Sequence, residues 1–345
     1  DFLLQHYYSH IPDDSTAFSD YGTWINMTIA LVVTFKNNKE RAYFWFKKLS
    51  LLAEPGKIDE EENDIIFERI FDAQYNAEIG INYIFKQIFE AGYAKNYINY
   101  SFEEVKKYFD ENKVDGCFTM YDNATGDVLV YNLGLDTIRF SPASTFKIVN
   151  SLIGLQTGAI ENDTMLIKWD GVKRWNEEWN KDMDMKEAFK VSSVPYYQEV
   201  ARRIGKDTMQ RWIDSVGYGN KIIAGPIDSF WLNNRLKISP DEQLGLMKRL
   251  YFDKLPFRKS VHEMVRNVML QEQNTVYKLS YKTGMGFEEN GNAIGWMTGW
   301  IEENRHVFFF VTFIKTPQKE LDMKTIRMNI TKGILKQLGF LEGKK

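Results

Sequence analysis

The sequence predicts an α+β protein in which one antiparallel sheet is flanked by helices, carries a helical lobe and follows a small all-α region. Strand-like segments occur near residues 116–132 and again near 274–314. Between them, residues 140–270 show mainly helical spacing of apolar side chains. Because the spacing before residue 95 is also helical, we divide the chain into a helical N-terminal region of unknown role, 1–95, and a C-terminal domain, 96–345.

The N-terminal region shows two amphipathic helix patterns and no recognisable chemistry. The segment "KERAYFWFKKLSLLAEPG" is one such helix, which Pro55 and Gly56 end. The segment "DEEENDIIFERIFDAQYNAEIGINYIFKQIFEAGY" opens with acids, which favour a helix N-terminus, and its apolar residues from Ile66 to Ile88 are three or four apart. The longest apolar run, Trp24–Phe35, has 12 residues and is too short to span a bilayer, so we expect no transmembrane segment.

The C-terminal domain is predicted to begin with a helix, "SFEEVKKYFDEN", whose start resembles a capping box from Ser101 to Glu104. A strand, a turn and a second strand follow in "GCFTMYDNATGDVLVYN". After the helical middle, strands return in "NTVYKLSYKTG", "AIGWMTGWIE" and "RHVFFFVTFI", and a last helix covers about 323–338. Strands at both ends of the domain predict one sheet whose termini meet, with a cleft between sheet and lobe as the natural active-site position.

Composition excludes several classes of function. The net charge of −3 gives no basis for a nucleic-acid surface. The only cysteine, Cys117, excludes an intrachain disulfide and a cysteine zinc cluster, and we interpret it as a small core residue. Of four histidines, His6 and His10 are spaced as a pair but lack an acidic ligand nearby, so we predict no metal site. A Ser-His-Asp triad is also poorly supported.

The segment "SPASTFKIVN" places Ser144 three residues before Lys147, which lies between Phe146 and Ile148. On a helix, residues three apart share a face, so the lysine amine can reach the serine hydroxyl. Burial drives a lysine toward its neutral form, and a neutral amine can take the serine proton and create a nucleophile. The S-x-x-K pattern occurs in serine β-lactamases and penicillin-binding proteins, although alone it also occurs by chance.

Further motifs follow in the expected order. In "KTG", Lys282 to Gly284, a cation and the Thr283 hydroxyl can hold a substrate carboxylate, and Gly284 lets a substrate lie close to the backbone. We place this motif at the end of its strand. Between it and Ser144 lie "SSV", Ser192 to Val194, and "YGN", Tyr218 to Asn220.

From about residue 100 to about residue 340, the chain resembles a class D, oxacillin-hydrolysing serine β-lactamase. The resemblance implies that 96–345 is a catalytic domain, whereas the region before residue 95 has no counterpart in ordinary members of that family. The matching segments, in order, are "PASTFKIVNSL", "KWDGVKR", "WNKD", "SSVPYYQEVARRIG", "YGN", "DSFWL", "LKIS", "YKTG", "GWMTGW" and "IRMNITKGILK".

The resemblance implies a reason for the apolar setting of Lys147. In that family the lysine is carboxylated by carbon dioxide, and the carbamate is the general base. Only the neutral amine attacks CO₂, so the pocket must lower the lysine pKa by desolvation. By resemblance, Phe146 and Val194 supply an apolar wall and Trp231 donates its indole N–H to the buried anion. Apart from CO₂ or bicarbonate, no cofactor is implied.

The remaining roles also follow from the resemblance. Ser144 is expected to be the acylated nucleophile, and Ser192 to relay a proton to the leaving β-lactam nitrogen. The backbone N–H groups of Ser144 and Met285 are expected to form the oxyanion hole. The residues expected to hold the substrate carboxylate are Lys282, Thr283 and Arg327.

Two positions depart from the family pattern, and others have a structural alternative. The family often has an aromatic residue at Met285 and a second tryptophan at Met297, which leaves the substrate profile open. The "YGN" segment can serve either the chemistry or the cleft wall. Trp296 and Trp300 are better explained as core residues than as ligand contacts. Arg327 taken alone can be read as a surface arginine.

The sequence therefore predicts an enzyme that hydrolyses the amide of penicillin-type β-lactams. The alternatives are a penicillin-binding sensor domain or a cell-wall transpeptidase, which are acylated but deacylate slowly. Both usually carry Asn at the position of Val194, which favours the hydrolase. The resemblance further implies β-lactams as the only small-molecule partners and a periplasmic or otherwise exported bacterial protein whose leader is removed. A homodimer is compatible with the sequence, and preferences such as carbapenem hydrolysis stay open.

Because every motif lies after residue 140, we predict that the N-terminal region is dispensable for chemistry. Deleting residues 1–95 should leave kcat within about threefold, since a domain with its own core folds alone, although solubility is expected to fall. Steady-state hydrolysis of a chromogenic β-lactam measures this. Loss of activity in a deletion variant that circular dichroism shows to be folded would contradict it.

Overall fold

The computed structural model describes residues 27–31, 39–50, 64, 67, 68, 71 and 102–343. Within these residues, six strands form one antiparallel sheet in the order β2-β1-β6-β5-β4-β3. The pairing of β1 with β6 joins the two ends of the catalytic domain, which confirms the predicted sheet and the α+β class. The strands are β1 Asp115–Asp122, β2 Val128–Tyr131, β3 Leu270–Gln273, β4 Tyr277–Phe287, β5 Ala293–Glu303 and β6 His306–Thr316.

Helices cover both faces of this sheet. The first and last helices of the catalytic domain pack together on one face, and the helices of the middle segment form the lobe on the other. The described helices are α1 Lys39–Ser50, α2 Phe102–Glu111, α3 Leu133–Asp136, α4 Lys147–Thr157, α5 Met185–Lys190, α6 Val194–Ile204, α7 Lys206–Val216, α8 Pro240–Tyr251, α9 Lys259–Met269 and α10 Met323–Gln337.

Local capping signals fix where several of these helices begin. Ser239 and Glu242 form a capping box at α8, which also has Pro240 in its first turn. The side chains of Ser193 and Asp322 accept backbone N–H groups at the starts of α6 and α10. These starts matter because α6 follows Ser192 directly and α10 carries Arg327.

Strand β5 is covered on both faces, so it separates two apolar layers. Trp296 and Trp300 point into the larger layer between sheet and lobe, where both are buried as the core interpretation expects. Met297 and Ile301 point the other way and pack with side chains of α2 and α10. Cys117 is buried in the larger layer and has no disulfide partner.

The described part of the N-terminal region, residues 27–31 and α1, is helical. Trp45, Phe46 and Leu49 are buried and belong to the same apolar cluster as the lobe. Most of the predicted helix in 59–93 lies outside the described residues, as does Ser101, the predicted capping residue of α2. Independence of residues 1–95 from the catalytic domain stays a prediction. None of the described helices has the length and the apolar character that crossing a bilayer requires.

Gly299 on β5 lets two strands approach closely. A Cβ at this position would lie 2.0 Å from the Ser280 carbonyl oxygen and 2.7 Å from the Tyr281 Cα. Gly299→Ala should therefore push β4 from β5 and lower the free energy of unfolding by about 1–3 kcal/mol, as overpacking does. Urea unfolding followed by tryptophan fluorescence measures the shift.

Gly134→Ala is the matched control for this experiment, because its nearest heavy atom would be 3.7 Å away. We expect it to change the free energy of unfolding by less than about 0.5 kcal/mol, as surface substitutions do. Equal unfolding midpoints for the two variants would contradict the steric argument.

Candidate active site

Ser144 lies in a 3₁₀ turn, Ala143–Phe146, that leads directly into α4. The sequence prediction placed Ser144 and Lys147 on one face of an α-helix. A 3₁₀ turn has three residues per turn, so the two residues are eclipsed, and Lys147 Nζ donates to Ser144 Oγ at 2.7 Å. The tighter turn arises because the Pro142 carbonyl accepts from the Thr145 N–H at 3.0 Å and its hydroxyl at 2.7 Å.

The Lys147 side chain is fully buried. Its described contacts are the Ser144 hydroxyl and the face of the Tyr197 ring, whose centroid lies 5.6 Å from Nζ. In the described part of the chain, no carboxylate forms an ion pair with it. Burial therefore lowers the pKa of Lys147 to about 7, so that much of the amine is neutral at physiological pH.

An apolar pocket surrounds the residue that precedes Lys147. The Phe146 ring is stacked with Trp231, with centroids 5.5 Å apart, and meets Phe230 and Tyr218 edge-on. Trp231 is completely buried, and its Nε1 has no hydrogen-bond partner among the described residues. A buried donor without an acceptor is costly, so this N–H is available to a group that the apo protein does not supply. Val194, at the start of α6, is half-buried.

Ser192 lies between α5 and α6 with a φ of 55°, in the left-handed region. Lys282 Nζ donates to Ser192 Oγ at 3.0 Å and to the Thr283 carbonyl at 3.1 Å. Burial lowers the pKa of Lys282 well below its usual value, and the positive charges of Lys147 and Arg327 add to this effect. The site thus holds two serine–lysine pairs in which both amines lose protons readily.

The "KTG" motif lies in the middle of β4 and not at its end, because β4 pairs with β5 as far as Phe287. Strand β3 covers only the first part of β4, up to Ser280. From Tyr281 onward, β4 is therefore the open edge of the sheet within the described residues, with the Met285 side chain partly exposed. Because β3 begins at Leu270, opposite Ser280, no strand covers this edge of β4 at the "KTG" residues within the described part of the chain.

Gly284 is required by the packing of the protein itself. A Cβ there would lie 3.0 Å from the Pro142 carbonyl oxygen and 3.3 Å from the Ser144 nitrogen. The sequence prediction attributed this glycine to the approach of a substrate. The structure shows in addition that it brings β4 against the turn that carries Ser144.

Arg327 extends from α10 toward the same edge and is only 7% exposed, so it is not a surface arginine. One of its terminal N–H groups donates to the Gly284 carbonyl, whereas its buried Nε has no described partner. Burial lowers its pKa to about 10. Lys282, Thr283 and Arg327 line a cavity of about 170 Å³ together with Lys190 and Lys324, and no described lining residue is acidic. This is a suitable place for a carboxylate.

The structure adds contacts that sequence reasoning missed. The Tyr197 ring faces Lys147, and the Phe189 ring lies 5.3 Å from Lys282 Nζ. Tyr218 forms part of the apolar wall, and Asn220 binds the backbone of the neighbouring loop at Arg235, so both serve the cleft wall. Tyr197 and Tyr218 lie in or next to recognised motifs, but no pattern in the sequence predicts the direction in which their rings point.

Comparison with known proteins places this geometry in a family. Residues 116–336 match the penicillin-binding protein transpeptidase domain. The crystal structure of the class D β-lactamase YbXI from Nostoc is 37% identical, with a TM-score of 0.66, and the match covers 69% of this chain and 99% of that one. The chain belongs to the class D serine β-lactamases.

Two curated relatives extend the comparison. The probable β-lactamase YbxI of Bacillus subtilis is 40% identical over 233 residues, which are 67% of this chain and 84% of YbxI. The regulatory protein BlaR1 of Bacillus licheniformis is 32% identical over 217 residues, which are 63% of this chain but only 36% of BlaR1. This class D β-lactamase therefore shares its domain with proteins whose names denote hydrolases and with one that denotes a regulator.

Because Gly284 packs against the Ser144 turn, we expect Gly284→Ala to displace the nucleophile. At contacts of 3.0–3.3 Å the neighbouring atoms must shift by a few tenths of an ångström. Because a misplacement of about 1 Å costs roughly 100-fold in rate, this smaller shift should slow acylation of Ser144 by about 3- to 10-fold. Stopped-flow mixing with a chromogenic cephalosporin measures the acylation phase.

Gly286→Ala is the matched control, because its Cβ would be 3.4 Å from the nearest atom, the Ala143 Cβ. It lies two residues further on the same strand and should acylate within about threefold of wild type, since contact at this distance is ordinary van der Waals packing. A Gly284→Ala protein that acylates as fast as the control would refute the steric role.

Proposed function

We propose that this protein hydrolyses the amide bond of penicillin-type β-lactams through an acyl-enzyme on Ser144, with a carboxylated Lys147 as the general base. The observation that carries the proposal is the buried Lys147 amine, hydrogen-bonded to Ser144 and lowered in pKa to about 7. A surface lysine would be protonated at neutral pH and could serve neither purpose.

Acylation uses the serine–lysine geometry. As Ser144 loses its proton to the base, Oγ attacks the β-lactam carbonyl, and the N–H groups of Ser144 and Met285 stabilise the oxyanion. The C–N bond then breaks, and the leaving nitrogen takes a proton from Ser192, which Lys282 can resupply through their 3.0 Å contact. The substrate carboxylate occupies the cationic cavity beside Arg327.

Carboxylation of Lys147 fits the pocket. The neutral amine attacks CO₂, a C–N bond forms and one proton is lost, so the product is an anion that needs a hydrogen-bond donor. Trp231 offers a buried indole N–H that has no acceptor among the described residues. When present, the carbamate supplies the base that activates Ser144 and later the hydrolytic water.

Hydrolysis is favoured over slow-deacylating alternatives by Val194. BlaR1 shows that a regulatory protein shares this domain, and a sensor or transpeptidase would form the same acyl-enzyme without rapid deacylation. Val194 lies at the start of α6. By the family resemblance it adds an apolar side chain to the lysine pocket, whereas an amide there would add competing hydrogen bonds. Sustained turnover of nitrocefin supports the hydrolase, and a single stoichiometric burst supports the alternatives. We further propose that the protein acts outside the cytoplasm, where β-lactams reach cell-wall enzymes.

Trp231→Phe should keep the ring stack with Phe146 and remove the N–H. Loss of a hydrogen bond to a buried anion costs on the order of 2–3 kcal/mol. The carboxylation equilibrium should therefore shift by roughly 30- to 150-fold. Deacylation should slow most, so acyl-enzyme on Ser144 accumulates in intact-mass spectra. The carbon-13 carbamate signal with labelled bicarbonate should weaken and recover only at higher bicarbonate.

Acidification tests the same mechanism in the wild type. Because the pKa of Lys147 is about 7, the amine is increasingly protonated below this pH, and carbamate and turnover should fall together and recover with bicarbonate. Trp300→Phe, a buried tryptophan outside the site, is the control and should keep the wild-type bicarbonate dependence. A wild type whose rate ignores bicarbonate, and which shows no carbamate at saturating bicarbonate, would identify Lys147 as a plain amine base.

A further inference from the structure

Three consecutive residues anchor the chain just before the nucleophile turn. Arg139 forms a two-pronged ion pair with Glu242 of α8. Phe140 exchanges backbone hydrogen bonds with Ile238 at 3.0 and 2.8 Å. The third anchor, Ser141, is the only one of the three that connects directly to both the sheet and the Trp231 segment.

Ser141 is buried, and both its hydroxyl and its carbonyl form hydrogen bonds. Its hydroxyl donates to the Trp231 carbonyl at 3.1 Å. Its own carbonyl accepts the indole N–H of Trp296 at 2.9 Å. Trp296 is completely buried on β5, directly opposite Gly284 in the strand register. One residue therefore ties the nucleophile turn to the sheet and to the tryptophan proposed to bind the carbamate.

The turn that these bonds hold is conformationally costly. Ala143, the residue between Pro142 and Ser144, has a φ of 46°, in the left-handed region that disfavours a side chain with a Cβ. Such a residue persists only where its surroundings fix it. The bonds from Thr145 to the Pro142 carbonyl close the turn around Ala143. The hydrogen bonds at Ser141, two residues earlier, and the contact with Gly284 hold that turn against the rest of the protein.

We propose that Ser141 and Trp296 are positioning residues for acylation, which hold the Ser144 turn in register with Lys147 and the "KTG" edge. Neither touches the reacting atoms. The effect on acylation rests on Ser144 being the acylated nucleophile, as in the proposed function, whereas the effect on bicarbonate dependence rests in addition on the carbamate. It also predicts a division of roles, since the Ser141 hydroxyl bonds the Trp231 segment whereas Trp296 bonds the backbone of the turn.

The experiment compares Trp296→Phe and Ser141→Ala with wild type. Each removes one hydrogen bond and should slow the first-order acylation of Ser144 by benzylpenicillin by about 3- to 10-fold, as loss of a buried hydrogen bond does. Quenched-flow intact mass measures the rate constant at saturating drug. The apparent dissociation constant should stay within about twofold, because the cationic cavity does not include the turn.

Matched controls separate positioning from loss of packing. Trp300→Phe removes the same volume from the same face of β5, and Thr312→Val removes a buried hydroxyl facing α10. Both should acylate within about twofold of wild type, as substitutions distant from the site do. If Trp296→Phe unfolds at a lower urea concentration than Trp300→Phe, its slower acylation can reflect lost packing. The acylation rate of Ser141→Ala then decides whether the positioning role holds.

Bicarbonate dependence distinguishes the two residues from each other. Ser141→Ala should raise the bicarbonate concentration for half-maximal turnover by about 3-fold or more through Trp231, whereas Trp296→Phe should leave it unchanged. Acylation rates equal to those of the controls would overturn the inference while leaving the proposed function intact. A wild type that is acylated but does not turn over would refute hydrolysis, and the acylation rates would still test Ser141. A wild type that is never acylated would refute both.

Discussion

The site depends on the burial of one amine without a carboxylate to pair with it. Removing Lys147 from water disfavours its charged form, and the described neighbours, a hydroxyl and an aromatic face, compensate this only in part. The protein therefore gains a base at neutral pH from desolvation alone. The same constraint explains the aromatic wall around Phe146, because a polar or wet wall would restore the charge. A second buried amine, Lys282, is tolerated nearby because burial also lowers its pKa and so favours its neutral form.

A close contact between sheet and lobe brings the "KTG" residues next to the turn that leads to Lys147. The "KTG" edge and the Ser144 turn come from opposite layers, and Gly284 lets them meet at van der Waals distance. The cationic cavity lined by Lys282 and Arg327 then lies close to the Ser144 turn, because Arg327 donates to the carbonyl of Gly284, which packs against that turn. Because β3 is short and pairs with β4 only up to Ser280, the "KTG" edge of β4 stays open. Access to this edge therefore depends on the length of β3.

The N-terminal region stands apart in sequence but not in packing. The family match begins at residue 116, whereas buried side chains of α1 belong to the same apolar cluster as the lobe. Removing these side chains would uncover apolar surface of the lobe, and uncovered apolar surface promotes association.

The sequence by itself determined the α+β class, the order of strands and helices in the catalytic domain and the identity of the motif residues, because periodicity and short motifs are local signals. The sequence-based placement of "KTG" at a strand end was wrong, because the length of β4 depends on its pairing with β5, which no local pattern shows. Only the tertiary structure decided the pKa of Lys147, the packing role of Gly284 and the burial of a Trp231 N–H that has no acceptor among the described residues. The bonds of Ser141 to Trp231 and Trp296 span 90 and 155 residues of chain, and no local pattern encodes contacts at that separation.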